Sequence, residues 1–214
     1  MTLSDSQIER YSRQIIVPEV GARGQERLLA ARLVIAGEIG DLAPVLAYMA
    51  GAGVGKIFIR AELDRSRAEQ TIAGLSGLNP DATVAPASDW ADPADLILIL
   101  LGSAYSLNLA RSLSGAPRSS ALILARLDAP GRIAVMTSAS PCPRCAGLLT
   151  PLAARSGTAG FITMVAAVEA FKILTRRTPD VSALLEFDGY RCVARELEAG
   201  PARCGCAGGD PKLR

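Results

Sequence analysis

The sequence predicts an α/β protein with a doubly wound, mainly parallel sheet, helices on both faces and an antiparallel C-terminal annex. Three observations predict it. Apolar runs of strand length alternate with segments of helical length between residues 32 and 126, the pattern of successive βα units. "ADLILILLG", at 94–102, is the most emphatic strand, and its unbroken apolar run suggests burial on both faces in the middle of a parallel sheet. The last two apolar runs, "ALLEFDG" and "RCVARELE", stand too close together for a crossover and read as a hairpin.

Each element follows from local chemistry. "SDSQ" at 4–7 has the Ser-x-x-Gln form of a capping box, so a polar helix should run to about Arg13. "GQERLLAA" at 24–31 reads as a second short helix and "RLVIAG" as a buried strand. "LAPVLAYMAGAG" is a helix whose small residues allow close packing on a sheet, and "GKIFIR" is the next strand. "RSRAEQTIAGLSGLN" is a helix ended by "NP", and "ATVAP" is a short strand. After the "ADLILILLG" strand come a helix over about 104–114 and strands at 120–126 and 131–137. Residues 158–175 form a largely apolar helix, which must lie against the sheet or a second subunit.

A chain of 214 residues with half of them hydrophobic suits one domain with an aliphatic core. The 23 basic and 21 acidic residues leave a net charge of +2, so no electrostatic case exists for nucleic acid or an anionic membrane. "RSR" at 65–67 and "TRR" at 175–177 are read as solvated faces. No histidine is present, which removes histidine bases, triads and metal ligands together. The polar N-terminus is no signal peptide, and residues 94–101 are far too short to span a bilayer. The expectation is a soluble cytoplasmic protein whose five cysteines are thiols or metal ligands. Cys192 is expected as a buried core thiol.

The turn after the first strand is a poor phosphate cradle, with one match in three to the glycine fingerprint. The dinucleotide fingerprint wants Gly-x-Gly-x-x-Gly; here those positions are Gly37, Ile39 and Leu42, with Gly40 between them. Glu38 and Asp41 add negative charge where phosphate would want a bare helix N-terminus, though they also complement the helix dipole. "GAGVGK" at 51–56 is no P-loop, since position 50 is Ala and position 57 is Ile. Its glycines should end one helix and turn into the next strand.

In order, "RYSRQIIVPEVGARGQERL", "ARLVIAG", "AYMAGAGVGKI", "GLNPDA", "CPRC", "AAVEAFKIL" and "FDG" make the chain similar to the ThiF/MoeB/HesA family, relatives of ubiquitin-activating enzymes. The resemblance runs from Ile8 to Cys206. It implies a Rossmann-like fold, Mg–ATP as cofactor, a dimer, and adenylation of the C-terminal glycine of a ubiquitin-like sulfur carrier. It divides the chain into an N-terminal arm (1–31), a nucleotide-binding-type half (32–126) and a C-terminal half with the cysteine pairs (127–214).

Carried over residue by residue, Arg13 matches the arginine that reaches the ATP phosphates of the neighbouring subunit, and Arg67 stands where the family has a phosphate-contacting lysine. Gly37 and Gly40 remain from the ATP turn. The ribose acid falls on Ala61 and the Mg²⁺-positioning aspartate on Gly102. The "Asn-Leu-x-Arg-Gln" segment is absent, and the crossover between "CPRC" and the apolar helix is short, without a cysteine. The chain reads as a shortened, degenerate member. Cys142, Cys145, Cys204 and Cys206 stand where the related enzymes carry two Cys-x-x-Cys pairs for structural zinc, the second pair one residue tighter here. A local disulfide or metal-free pairs are the alternatives.

Three functions follow as expectations. The first is a binding subunit, alone or paired with an active relative as a homodimer or heterodimer, that holds a carrier protein without ATP chemistry. The second is an active adenylyltransferase with an altered site. The third is an NAD-dependent oxidoreductase, for which the ribose acid is missing as well.

Overall fold

The apolar runs pair as the alternation requires. In the computed structural model, which describes residues 3–62, 65–87, 94–113, 120–137, 140–176 and 182–197, five parallel strands come first: β1 (Arg32–Glu38), β2 (Lys56–Glu62), β3 (Thr83–Pro86), β4 (Leu96–Leu101) and β5 (Ala121–Arg126). The antiparallel strands β6 (Gly131–Met136), β7 (Ala183–Phe187) and β8 (Cys192–Glu196) follow. Among the described residues they form one sheet in the order β3-β2-β1-β4-β5-β6-β7-β8. The strand order reverses between β1 and β4, and a ligand crevice in such sheets opens beyond the carboxyl ends of the strands at that switch point.

Seven helices accompany these strands among the described residues: α1 (Asp5–Arg10), α2 (Ser12–Ile15), α3 (Gly21–Ala30), α4 (Ile39–Ala52), α5 (Arg65–Ser76), α6 (Ala104–Ser112) and α7 (Ala159–Arg176). Side chains alternate across a strand, so each central strand feeds two cores. Leu33, Ile35, Leu98, Leu100 and Ile123 belong to the core shared with α3, α4 and α7. Val34, Ala36, Ile97, Ile99 and Leu122 belong to the core under α6. All six residues of β4 are buried, as its unbroken apolar run predicts.

The apolar helix α7 lies against the sheet. Ile162, Ala166, Ala167, Ala170, Ile173 and Leu174 make its buried stripe, and the alanines permit close approach. Gly131 of β6 shows how close, since a Cβ there would stand 2.0 Å from Ile162 Cδ1. Among the described residues no helix is long and apolar enough to cross a membrane.

Two expectations are corrected. The N-terminal helix is broken at Tyr11, which is 1% exposed; the chain turns there to bury the phenol ring. Cys192 is exposed rather than a core thiol, because β8 is the sheet's last strand and all five of its residues are exposed.

Candidate functional site

At the switch point, β1 ends in Gly37 and Glu38 and leads directly into α4. Gly37 has φ +151°, and a Cβ there would stand 3.0 Å from the carbonyl oxygen of Leu100. The close approach of β4 therefore demands this glycine whether or not a ligand binds. A Cβ on Gly40, in the first turn of α4, would meet nothing within 4 Å. Leu42, at the fingerprint's third glycine position, is fully buried in the core. Its Cδ2 would lie 3.3 Å from a Cβ on Gly37, so core packing fills space that the motif leaves open.

Across the crevice, Gly102 follows β4. A Cβ at Gly102 would meet Asp41 Oδ2 at 3.1 Å, Arg155 NH1 at 3.4 Å and Leu127 Cδ1 at 3.4 Å. Arg155 NH1 donates to Asp41 Oδ2 at 3.0 Å, and NH2 donates to Oδ1 of the same carboxylate. That pairing, with the Glu38 charge nearby, raises the Arg155 pKa above its ordinary value against the opposing effect of burial. The amides at this end of β4 are also satisfied internally: Gly102 N and Ser103 N each donate to Ser106 Oγ at 3.1 Å. The crevice thus holds its own anion, its own cation and its own amide partner.

Arg155 is positioned by a buried ion pair that the sequence reading missed. Arg126, 1% exposed, donates from Nε to Asp128 Oδ1 at 2.9 Å and from NH2 to Oδ2. The same guanidinium donates to the carbonyls of Leu148 and Thr150 at 2.9 Å and of Pro151 at 3.1 Å. Asp128 Oδ2 accepts from Ala153 N at 2.9 Å, and Asp128 bridges Arg155 antiparallel through the backbone. Burial alone would raise the Asp128 pKa, but the bonds from Arg126 and Ala153 outweigh it and hold the carboxyl below its ordinary value. The signal in the sequence is an Arg and an Asp two residues apart at the end of an apolar run, a spacing that puts both on one side of an extended chain.

The arm's motifs meet elsewhere. Tyr11 OH donates to Asp81 Oδ2 at 2.9 Å and accepts from Asn79 Nδ2 at 2.9 Å. Asn79 also donates to Ala50 O at 2.8 Å, and the buried Gln25 donates to Ala52 O at 3.0 Å. Burial, with Asp81 beside it, pushes the Tyr11 phenol up to about 12 despite the Asn79 bond. "RYSRQ", "GAGVGK" and "GLNPD" therefore join in one polar knot that fastens the arm to the end of α4 and to the 79–81 turn.

The sequence-derived site residues are only partly brought together. Gly37 and Gly40 lie at the crevice. Arg13 is exposed on α2, which packs on α1 and α3. Arg67 falls in the first turn of α5, and its side chain lies outside what the structure describes. Cys142 and Cys145 share a run of turns, where Cys145 N donates to Cys142 Sγ at 3.4 Å. Cys204 and Cys206 lie outside the described residues, and among the described ones no group of three or more Cys, Asp or Glu is placed to hold a metal.

No sequence-family model matches the chain. It is 29% identical to the SAMP-activating enzyme E1 of Haloferax volcanii, over 95% of this chain and 88% of that one. It is 30% identical to the adenylyltransferase and sulfurtransferase MOCS3 of Sus scrofa, over 96% of this chain but only 54% of MOCS3. A stretch of 65 residues, 30% of this chain, is 45% identical to the sulfur carrier protein adenylyltransferase of Thermus thermophilus. Among solved structures, Escherichia coli MccB with ATP superposes with a TM-score of 0.68 at 14% identity, covering 96% of this chain and 75% of MccB. The Rossmann-like, doubly wound fold is thereby shared with MccB; at that identity the likeness speaks for the fold alone.

Proposed function

We propose that this chain is a ThiF/MoeB-like protein of the ubiquitin-like, sulfur-carrier-activating adenylyltransferase family, and that it is a non-catalytic or partner-dependent subunit that binds a ubiquitin-like sulfur carrier. One observation carries the reading. Where the resemblance places the Mg²⁺-positioning aspartate, position 102 is glycine, and the space beside it is occupied by the Asp41–Arg155 pair. A triphosphate entering there meets the carboxylates of Glu38 and Asp41 and a guanidinium already neutralised, a poor field for an anion.

The arrangement also supports a second reading, an active adenylyltransferase with an altered site, because the Asp41 carboxylate reaches the place a side chain at 102 would occupy. On that reading the carrier's carboxylate attacks the α-phosphate of ATP, pyrophosphate leaves, and Arg13 and Arg67 stabilise the charge that builds up.

Both readings place the protein in the cytoplasm as a dimer, with the exposed arm presenting Arg13 to a neighbour. Cys142, Cys145, Cys204 and Cys206 would hold one structural zinc as four thiolates. The Cys145 N–H directed at Cys142 Sγ suits a thiolate, which accepts hydrogen bonds well.

Calorimetric titration of the purified, metal-analysed protein with Mg–ATP, alongside carrier-dependent ATP–pyrophosphate exchange, tests the proposal. The expected result is about one zinc per chain, no heat at millimolar nucleotide and no exchange. Micromolar binding with exchange that vanishes in Arg13→Ala would establish the active reading instead.

A further inference from the structure

Arg155 has a combination of properties that a purely structural ion pair does not need. Its backbone is fixed: it bridges Asp128 antiparallel, Ser156 N donates to Leu127 O at 2.8 Å, and the buried Arg126–Asp128 pair holds the residues before it. Its side chain is 52% exposed, whereas that of its partner Asp41 is 11% exposed. The guanidinium therefore hangs from a rigid support over the crevice, in reach of water. A guanidinium fork matches the two oxygens of a carboxylate or a phosphate equally well. Because the guanidinium side of this pair is open to solvent, an oxyanion from outside can compete for it.

We propose that Arg155 is the oxyanion receptor of this crevice and that Asp41 is its internal ligand, which occupies the receptor until a phosphate or carboxylate group displaces it. The side chain alone has to rotate; the backbone around 153–156 stays where Asp128 and Leu127 hold it. The inference rests on the reading above only in taking the switch-point crevice as the ligand cleft. Two anion sources share this chemistry, the phosphate of a phosphoanhydride and the C-terminal carboxylate of a peptide.

The test compares wild type, Asp41→Asn, Asp41→Ala and the double variant Asp41→Asn with Arg155→Ala. Each is titrated with inorganic pyrophosphate, with a peptide ending in a free Gly-Gly carboxylate, and with the amidated peptide as control. Freeing the guanidinium should tighten one of the two anions by about fivefold or more in both single variants, the factor that corresponds to about 1 kcal/mol. The double variant should lose that gain. Pyrophosphate or the free-acid peptide, whichever gains, identifies the source. No gain in either Asp41 variant, or a gain that survives Arg155→Ala, overturns the proposal. Weaker binding in the Asp41 variants also overturns it, and makes Asp41 itself the ligand group. Thermal melts accompany the titrations, and failure of both Asp41 variants to fold would show the pair to be structural. Micromolar Mg–ATP binding by wild type would count against the non-catalytic reading alone, because the change between variants is read separately.

Discussion

Arg126 sits 1% exposed among Asp128 and the carbonyls of Leu148, Thr150 and Pro151. The apolar run itself does not announce such a residue; the charge and the Asp two residues on, in "ALILARLD", are the signs that it must find partners. Removing one member of a buried pair leaves the other charge uncompensated, so Arg126→Met should cost about 3–5 kcal/mol in urea unfolding. Replacing both, Arg126→Met with Asp128→Leu, should recover part of that loss. The pH dependence has a definite sign. The Asp128 pKa is lowered in the folded state, so its contribution is complete above the unfolded value of about 3.9 and is lost as pH falls through the folded value. The difference in stability between wild type and the double variant should therefore shrink below about pH 4. A cost under about 1 kcal/mol for Arg126→Met would mean that residues 148–153 hold themselves without the pair.

At the scale of elements, the turn between α4 and β2 shows what the sequence could and could not say. The glycines of "GAGVGK" end the helix and turn the chain, as expected: Gly53 caps α4 with φ +91°. Their further reason is non-local. A Cβ on Gly53 would stand 2.7 Å from the Tyr11 ring, and one on Gly55 would stand 2.0 Å from the Leu29 carbonyl oxygen, contacts made by chain 26 or more residues away. Sequence patterning finds periodicity within an element but not which distant backbone lies against it. A paired substitution measures the difference. Gly55→Ala pushes into backbone that cannot rotate aside, and should destabilise by about 1–3 kcal/mol or more. Gly51→Ala, at an exposed position in the last turn of α4 where a Cβ would meet nothing within 4 Å, should stabilise by about 0.5–1 kcal/mol. Chemical denaturation of both variants decides; equal effects would mean that the Leu29 carbonyl yields and places no demand on Gly55.

For the whole molecule, the sheet was legible because its strands are apolar runs whose burial is set by their own residues, whereas the crevice was legible only as a list of departures. The sequence marks Gly102 and Asp41 separately, and only the fold shows one carboxylate standing beside the other position, held by an arginine 114 residues away. The broken N-terminal helix carries a consequence at this scale. Turning the chain at Tyr11 buries the phenol ring and leaves Ile8, Ile16 and Val17 exposed at 48%, 76% and 40% around the exposed Arg13. Apolar residues on an arm that is itself firmly knotted to α4 suit a subunit contact, since a rigid surface loses little freedom when it is covered. If the arm joins two copies, light scattering should give twice the chain mass of 22.3 kDa. Ile16→Asp with Val17→Asp should then shift the protein to monomer by at least about tenfold in dissociation constant, with the thermal melt of dilute protein little changed because neither side chain belongs to the core. A monomeric wild type would tell against Arg13 acting on a second copy of this chain, and the proposed role of Arg13 would then require a partner of different sequence.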